Sequence, residues 1–132
     1  MDLERRVNQL SYQVIGAAVE VHKALGPGLL ESTYEHCLAY ELTMRQIPVL
    51  RQKQLPVVYK GERIDCGYRL DLLVDDLIIV ELKCVDKFLP IHTAQLLTYL
   101  KLTDLPVGLL INFNVYNITQ TGVKRVAHRL NP

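Results

Sequence analysis

Three residues of this chain have types and spacing suited to holding a divalent cation and activating water: Asp71, Glu81 and Lys83. Glu81 and Lys83 interrupt an apolar run from Leu77 to Val85 that otherwise reads as a central β-strand, a setting that seldom tolerates charge. Lying at i and i+2, their side chains leave the same face of the strand. The stretch before it alternates. Ile64, Cys66, Tyr68, Leu70, Leu72 and Val74 share one parity, and Arg63, Asp65, Arg69 and Asp71 the other. Asp71 therefore falls on a polar face next to the strand that carries Glu81 and Lys83. Two carboxylates and an ammonium on adjacent strands suit a divalent cation and the activation of water. Spacing alone is weak evidence. With 14 acidic residues and 7 lysines, acid-x-Lys arises by chance ~0.7 times in such a chain, and a solvated Glu/Lys pair near a strand end is the plain alternative.

The acids meet only in one kind of register. If Asp75 and Asp76 formed a two-residue turn, Asp71 would face Val80 and Glu81 would point away. Convergence of Asp71 with Glu81 requires an odd-numbered connection, such as Asp75 to Leu77, or a bulge.

The elements that must hold these strands are legible from periodicity. A first helix runs from about Glu4 to Leu25, with Val7, Leu10, Val14, Ala18, Val21 and Leu25 as its apolar stripe. Gly26-Pro27-Gly28 ends it, with Glu20 and His22 in its last turns. A second helix, about Leu29 to Gln46, buries Leu30, Tyr34, Cys37, Leu38 and Leu42. Glu31 in its first turn suits the helix dipole, or else points inward toward the acidic strands, with Tyr34 on the same side. Three strands follow. The first spans roughly Gln52 to Tyr59, and Pro56 marks it as an edge or a bulge. Pro90 opens a third helix to about Thr103, in which Leu96, Leu97 and Leu100 pack while His92, Gln95 and Tyr99 share another face. Val107 to Phe113 is a buried strand, Asn114 to Gln120 is turn-rich, and Val123 to Leu130 is a basic ending suited to an edge strand.

Composition narrows the class. The 132 residues, 49% of them hydrophobic, suffice for one α/β domain spanning residues 1–132. No stretch reaches the ~18 apolar residues of a membrane span, the start lacks the plan of a secretion signal, and three cysteines leave one unpaired in any disulfide scheme. A cytoplasmic location without membrane contact is the expectation. Cys84 points away from Lys83 and reads as core. A net charge of +1 is a point against tight, non-specific nucleic-acid coating, softened by local asymmetry: from Arg45 to Arg63, Arg45, Arg51, Lys53, Lys60 and Arg63 stand against Glu62 alone, and Lys124, Arg125 and Arg129 crowd the tail. Solvated faces and phosphate contacts both produce such clusters.

The order helix, helix, three strands, helix, strand, with an acid on the second strand and acid-x-Lys on the third, resembles the PD-(D/E)XK nuclease superfamily. Gly28-Leu29-Leu30-Glu31-Ser32-Thr33-Tyr34 resembles the motif of its GxxExxY protein family. The resemblance extends over nearly the whole chain. It takes in Glu20 and His22, Asp71 within Tyr68-Arg69-Leu70-Asp71-Leu72-Leu73-Val74, Glu81-Leu82-Lys83, Gln95-Leu96-Leu97-Thr98-Tyr99, and Leu110-Ile111-Asn112-Phe113. Leu70 stands where proline often precedes the first metal acid. The resemblance implies a central mixed β-sheet flanked by helices, a restriction-endonuclease-like αβββαβ core with an extra N-terminal helix. It also implies a Mg²⁺-dependent hydrolase (Mn²⁺ as substitute) cutting nucleic acid, DNA being the expected substrate, and is compatible with a homo-oligomer. Asp71, Glu81, the backbone carbonyl of Leu82 and Glu31 would then hold metal. Lys83, Gln95 and Tyr99 would complete the catalytic set, with Glu20, His22 and Tyr34 as accessory candidates. The reading from another class is a catalytically silent module of the same fold for nucleic-acid or protein binding and assembly, which the near-neutral charge and high hydrophobic content favour.

Overall fold

In the computed structural model, which describes residues 2–130, two helices precede a meander of strands. Helix α1 (Leu3–Leu25) starts at Asp2, whose carboxylate accepts the Arg5 N–H at 2.8 Å, and stops at Gly26, which takes φ 67°. Helix α2 (Glu31–Met44) follows the Gly-Pro-Gly break. Strands β1 (Val49–Gln54), β2 (Val57–Tyr59), β3 (Glu62–Ile64), β4 (Arg69–Val74) and β5 (Ile78–Lys83) come next, then α3 (Pro90–Thr103), β6 (Val107–Asn112), the short α4 (Ile118–Thr121) and β7 (Val123–Ala127).

Five strands form one mixed sheet in the order β1-β4-β5-β6-β7. β4 runs antiparallel to both β1 and β5, β6 is parallel to β5, and β7 is antiparallel at the far edge. A parallel neighbour needs a crossover, and α3 supplies it. The sheet separates two apolar layers. Val7, Val14 and Val21 of α1 and Leu38 and Leu42 of α2 pack on Leu72, Val74, Val80 and Leu109, while Leu96 and Leu100 of α3 pack on Leu73, Ile79 and Leu110. The expected mixed α/β architecture is the one observed. The domain extent of 1–132 is described only over residues 2–130; 1, 131 and 132 lie outside the described residues.

Two sequence expectations needed correction. The strand drawn from Gln52 to Tyr59 is two strands, broken at Leu55 and Pro56, and the strand drawn through Ile64 to Val74 breaks at Asp65–Tyr68. As a result β2 and β3 form a separate two-stranded ribbon. Helical stripes also fail at their ends: Leu25 and Leu30, read as buried, are 37% and 75% exposed because both flank the Gly-Pro-Gly break. That break is held by Tyr34. Its hydroxyl donates to the Gly26 carbonyl and accepts the Leu29 N–H at 3.1 Å, and its buried ring stacks on Phe113 with centroids 4.5 Å apart. Tyr34→Phe keeps the stacking and leaves both backbone groups without their partner. It should cost about 1–3 kcal/mol in chemical denaturation, and a midpoint equal to that of the wild type would refute the clamp.

Candidate functional site

The site forms where β4 and β5 part. Their ladder pairs Val74 with Ile78, Leu73 with Ile79 and Leu72 with Val80, and goes no further. Asp75 and Asp76 both take φ 52°, and the Leu77 N–H closes the turn onto the Val74 carbonyl at 3.0 Å. Asp tolerates the left-handed region better than most residues. The connection is thus three residues long, and the same register carried one step onward sets Asp71 opposite Glu81. Here side chains replace the ladder. Glu81 Oε2 accepts the Asp71 N–H at 2.7 Å, and Asp71 Oδ2 accepts the Leu82 N–H at 2.9 Å.

Alternation places Glu81 and Lys83 on the face of Ile79, toward α3, while Cys84 packs with the opposite layer. Glu81 is 5% exposed. Burial first, and then the Asp71 charge, push its carboxyl from the ordinary 4.5 up to about 8, against the pull of the Asp71 N–H and the Lys83 ammonium. Asp71 is raised too, mainly by burial and by Glu35, although the Leu82 N–H, Lys83 and Gln52 draw it down. Glu31, in the first turn of α2, is raised by burial, then by Asp71; Lys83 and the Cys84 N–H oppose that shift. Glu31 therefore lies within electrostatic reach of Asp71 and Lys83 despite a separation of forty residues from Asp71. Burial and then Glu31 raise the Cys84 thiol, which keeps it protonated and unsuited to nucleophilic attack.

The trio on α3 divides. His92 caps its own helix, accepting the Leu89 N–H on Nδ1 at 3.0 Å. Gln95 is exposed. Tyr99 is buried at 6% exposure, with its ring 6.1 Å from that of Tyr68. Burial, then Glu81, Tyr68 and Asp71, raise its hydroxyl pKa. Tyr99 thus belongs to the acids' surroundings. The accessory candidates have other partners: Tyr34 clamps the helix break, His22 Nε2 donates to the Val115 carbonyl at 2.7 Å, and Glu20 is exposed in a cleft between α1 and α2 beside Tyr40.

Sequence reasoning missed Glu35 and Gln52. Glu35, 5% exposed, accepts from the Gln52 amide at 2.6 Å and from the Arg51 guanidinium at 2.9 Å. Gln52 stands opposite Asp71 across β1 and β4, with its backbone in the left-handed region at φ 53°. The i+4 spacing from Glu31 could have revealed Glu35, whereas no local signal marks Gln52. Asn112, also missed as a site support, is 1% exposed; its side chain pairs with both backbone groups of Val85 at 3.2 and 2.8 Å. The Phe113 N–H bonds the Lys83 carbonyl at 3.0 Å, so the exit of β5 is fixed just past the lysine.

Among the described residues no three His, Cys, Asp or Glu side chains converge as a metal-binding group. The pair of carboxylates nevertheless suits a hard cation. Each spends one oxygen on a backbone N–H, leaving its second oxygen free of backbone bonds, and Mg²⁺ takes one or two carboxylates and keeps waters. A cleft of about 600 Å³ lies at the other end of the strands, lined by Tyr12, Gln13, Asp75 and Leu77, and includes none of these acids.

A scan of family models matches residues 8–126 to the PD-(D/E)XK nuclease superfamily. The chain belongs to that superfamily. Its members are usually nucleases and generally use divalent metal ions, which makes nucleic acid the substrate class the membership implies. No curated protein and no solved structure matches the chain. Among the described residues no helix is long and apolar enough to cross a membrane.

The raised carboxyls make metal-free stability depend on pH in a definite direction. Because folding raises the Glu81 pKa above its unfolded value, the folded state favours the protonated form. Stability is full below about 4.5 and is lost as pH rises toward about 8. Metal-free protein should melt progressively lower from pH 5 to pH 8, and Glu81→Gln should flatten that slope. Equal slopes for wild type and variant in a calorimetric pH series would contradict the assignment.

Proposed function

We propose that this protein is a Mg²⁺-dependent nuclease hydrolysing phosphodiester bonds, with DNA as the expected substrate, and that within its superfamily it stands with the GxxExxY proteins. The observation that carries this reading is the facing pair Asp71 and Glu81, each with an oxygen free of backbone bonds, on the same face as Lys83. Asp71, Glu81 and the Leu82 carbonyl would hold Mg²⁺ or Mn²⁺, with Glu31 as a further acidic ligand. When bound, the cation eases deprotonation of water and offsets charge on the phosphate.

The chain's own groups do the rest. Lys83, whose charge acts on Asp71, Glu81 and Glu31 alike, neutralises charge that grows on the phosphate oxygens in the transition state. Glu31, its carboxyl raised by burial and by Asp71, is suited to accept a proton and return it. Tyr99, held neutral, donates its hydroxyl proton as a hydrogen bond, and exposed Gln95 one turn away offers an amide to the same phosphate. Glu35 holds Gln52 against Asp71 and so fixes the direction of the first acid.

The test separates binding from chemistry. Mg²⁺ or Mn²⁺ at a hundredfold its dissociation constant should stabilise the wild type by about 2.7 kcal/mol, with labelled DNA cut and EDTA abolishing cleavage. Glu81→Gln should lose both the thermal shift and cleavage. Lys83→Met should keep the shift while cleavage falls on the order of 10²-fold or more. If millimolar Mn²⁺ leaves the melting temperature unchanged and neither DNA nor RNA is cut, the nuclease reading fails.

A further inference from the structure

The ribbon of β2 and β3 lies outside the five-stranded sheet that carries the acids. Its two strands pair only with each other, Val57 with Ile64, Val58 with Arg63 and Tyr59 with Glu62, around Lys60 and Gly61 at φ 49° and 81°. Positive φ at both turn positions is the tight hairpin geometry that matches strand twist. Isolated two-stranded hairpins are marginal in water, yet this one displays apolar side chains: Val58, Tyr59 and Ile64 are 63%, 60% and 42% exposed. The cations on it and at its root in β1 are unspent. Lys53, Lys60 and Arg63 are exposed and join no salt bridge among the described residues, unlike Arg51 and Arg69, which pair with Glu35 and Asp65. The Lys60 ammonium sits 5.5 Å above the Tyr59 ring.

Position gives this surface its meaning. The ribbon grows directly from the ends of β1 and β4, where Lys53 pairs with Leu70 and Gln54 with Arg69, and its root is closed by the Leu55 N–H on the Tyr68 carbonyl at 2.9 Å. Asp71 is one residue beyond Leu70. Tyr68, at that root, packs toward Tyr99. A polyanion approaching the carboxylates meets repulsion from Asp71, Glu81 and Glu31, so attraction must come from nearby cations.

We propose that the β2–β3 ribbon is a nucleic-acid-gripping arm, with Lys53, Lys60 and Arg63 contacting the phosphate backbone on one side of the bond to be cut. This rests on nucleic acid being the partner of the site. From Lys53 to Lys60 the arm spans at most ~23 Å at the rise of an extended strand, or ~7 nucleotides at 3.4 Å each. The mix of exposed apolar side chains with three unpaired cations favours a charged polymer over a second copy of this near-neutral chain.

The experiment is a salt titration of binding in EDTA, where no cutting occurs, with a fluorescent 20-nucleotide single strand and its duplex. Each lost phosphate contact lowers the log–log salt slope by about 0.7–0.9. Lys53→Ala/Lys60→Ala/Arg63→Ala should therefore reduce the slope by about 2, and Lys23→Ala/Lys124→Ala, on other surfaces, should leave it unchanged. The five side chains are exposed, so melting temperatures should match the wild type. No measurable binding by the wild type at low salt, an unchanged slope in the triple variant, or an equal fall in the control would each overturn the arm. Cleavage with Mn²⁺ is read separately. Cutting with an unchanged slope sinks the arm and spares the nuclease, and a reduced slope without cutting does the reverse.

Discussion

The site depends on two antiparallel strands that stop pairing one residue too early. At Leu72 and Val80 the β4–β5 ladder ends, and the next two residues are acids whose carboxylates bond the backbone N–H groups that the ladder leaves behind. Buried amides must find acceptors, and here the acceptors come from Asp71 and Glu81. The bonds lock both carboxylates in place while holding them close enough to repel each other. Low-dielectric surroundings strengthen the amide bonds and the repulsion together. Strain of this kind belongs to a site that expects a positive partner.

Everything around the parting serves to keep it open and aimed. Gln52 opposite Asp71 adopts a backbone conformation uncommon for a residue with a Cβ, and buried Glu35 holds its side chain. On the other flank, Asn112 and the Phe113 N–H tie down the chain after Lys83. The Tyr34 clamp sets the direction of α2 and thereby delivers both Glu31 and Glu35. Polar groups that would destabilise a core if left unpaired are nearly all satisfied by one another. The arrangement is rigid on one side and bare on the other, where Gln95 and the β2–β3 ribbon face solvent.

Much of this was legible in the residues themselves. The 3.6-residue spacing located three helices, the third from Pro90 to about Thr103, where α3 lies. The apolar run through Leu82 identified the central strand, and the breach of that run by Glu81 and Lys83 exposed the site. Period-two alternation turned Cys84 away from Lys83, and Cys84 packs, partly buried, against the layer opposite Ile79. Each of these is a local or nearest-neighbour property, repeated often enough along the chain to be read without coordinates.

Other features depended on contacts between segments distant in sequence. Parity alone demanded that an odd connection separate Asp71 from Glu81 if they were to meet, but it could not say that they did. The paired left-handed aspartates and the shortened ladder decided that. Likewise, a strand pattern through Pro56 gave no reason to detach residues 57–64 from the sheet, since pairing with a third strand, not propensity, determines whether a β-stretch joins one. Glu35 looked like one more helix acid until packing buried it against Gln52 and Arg51. Sequence determined which residues carry charge into an apolar strand; only the tertiary structure decided which backbone amides and which opposing acids those charges would face, because those partners come from strands and helices far apart along the chain.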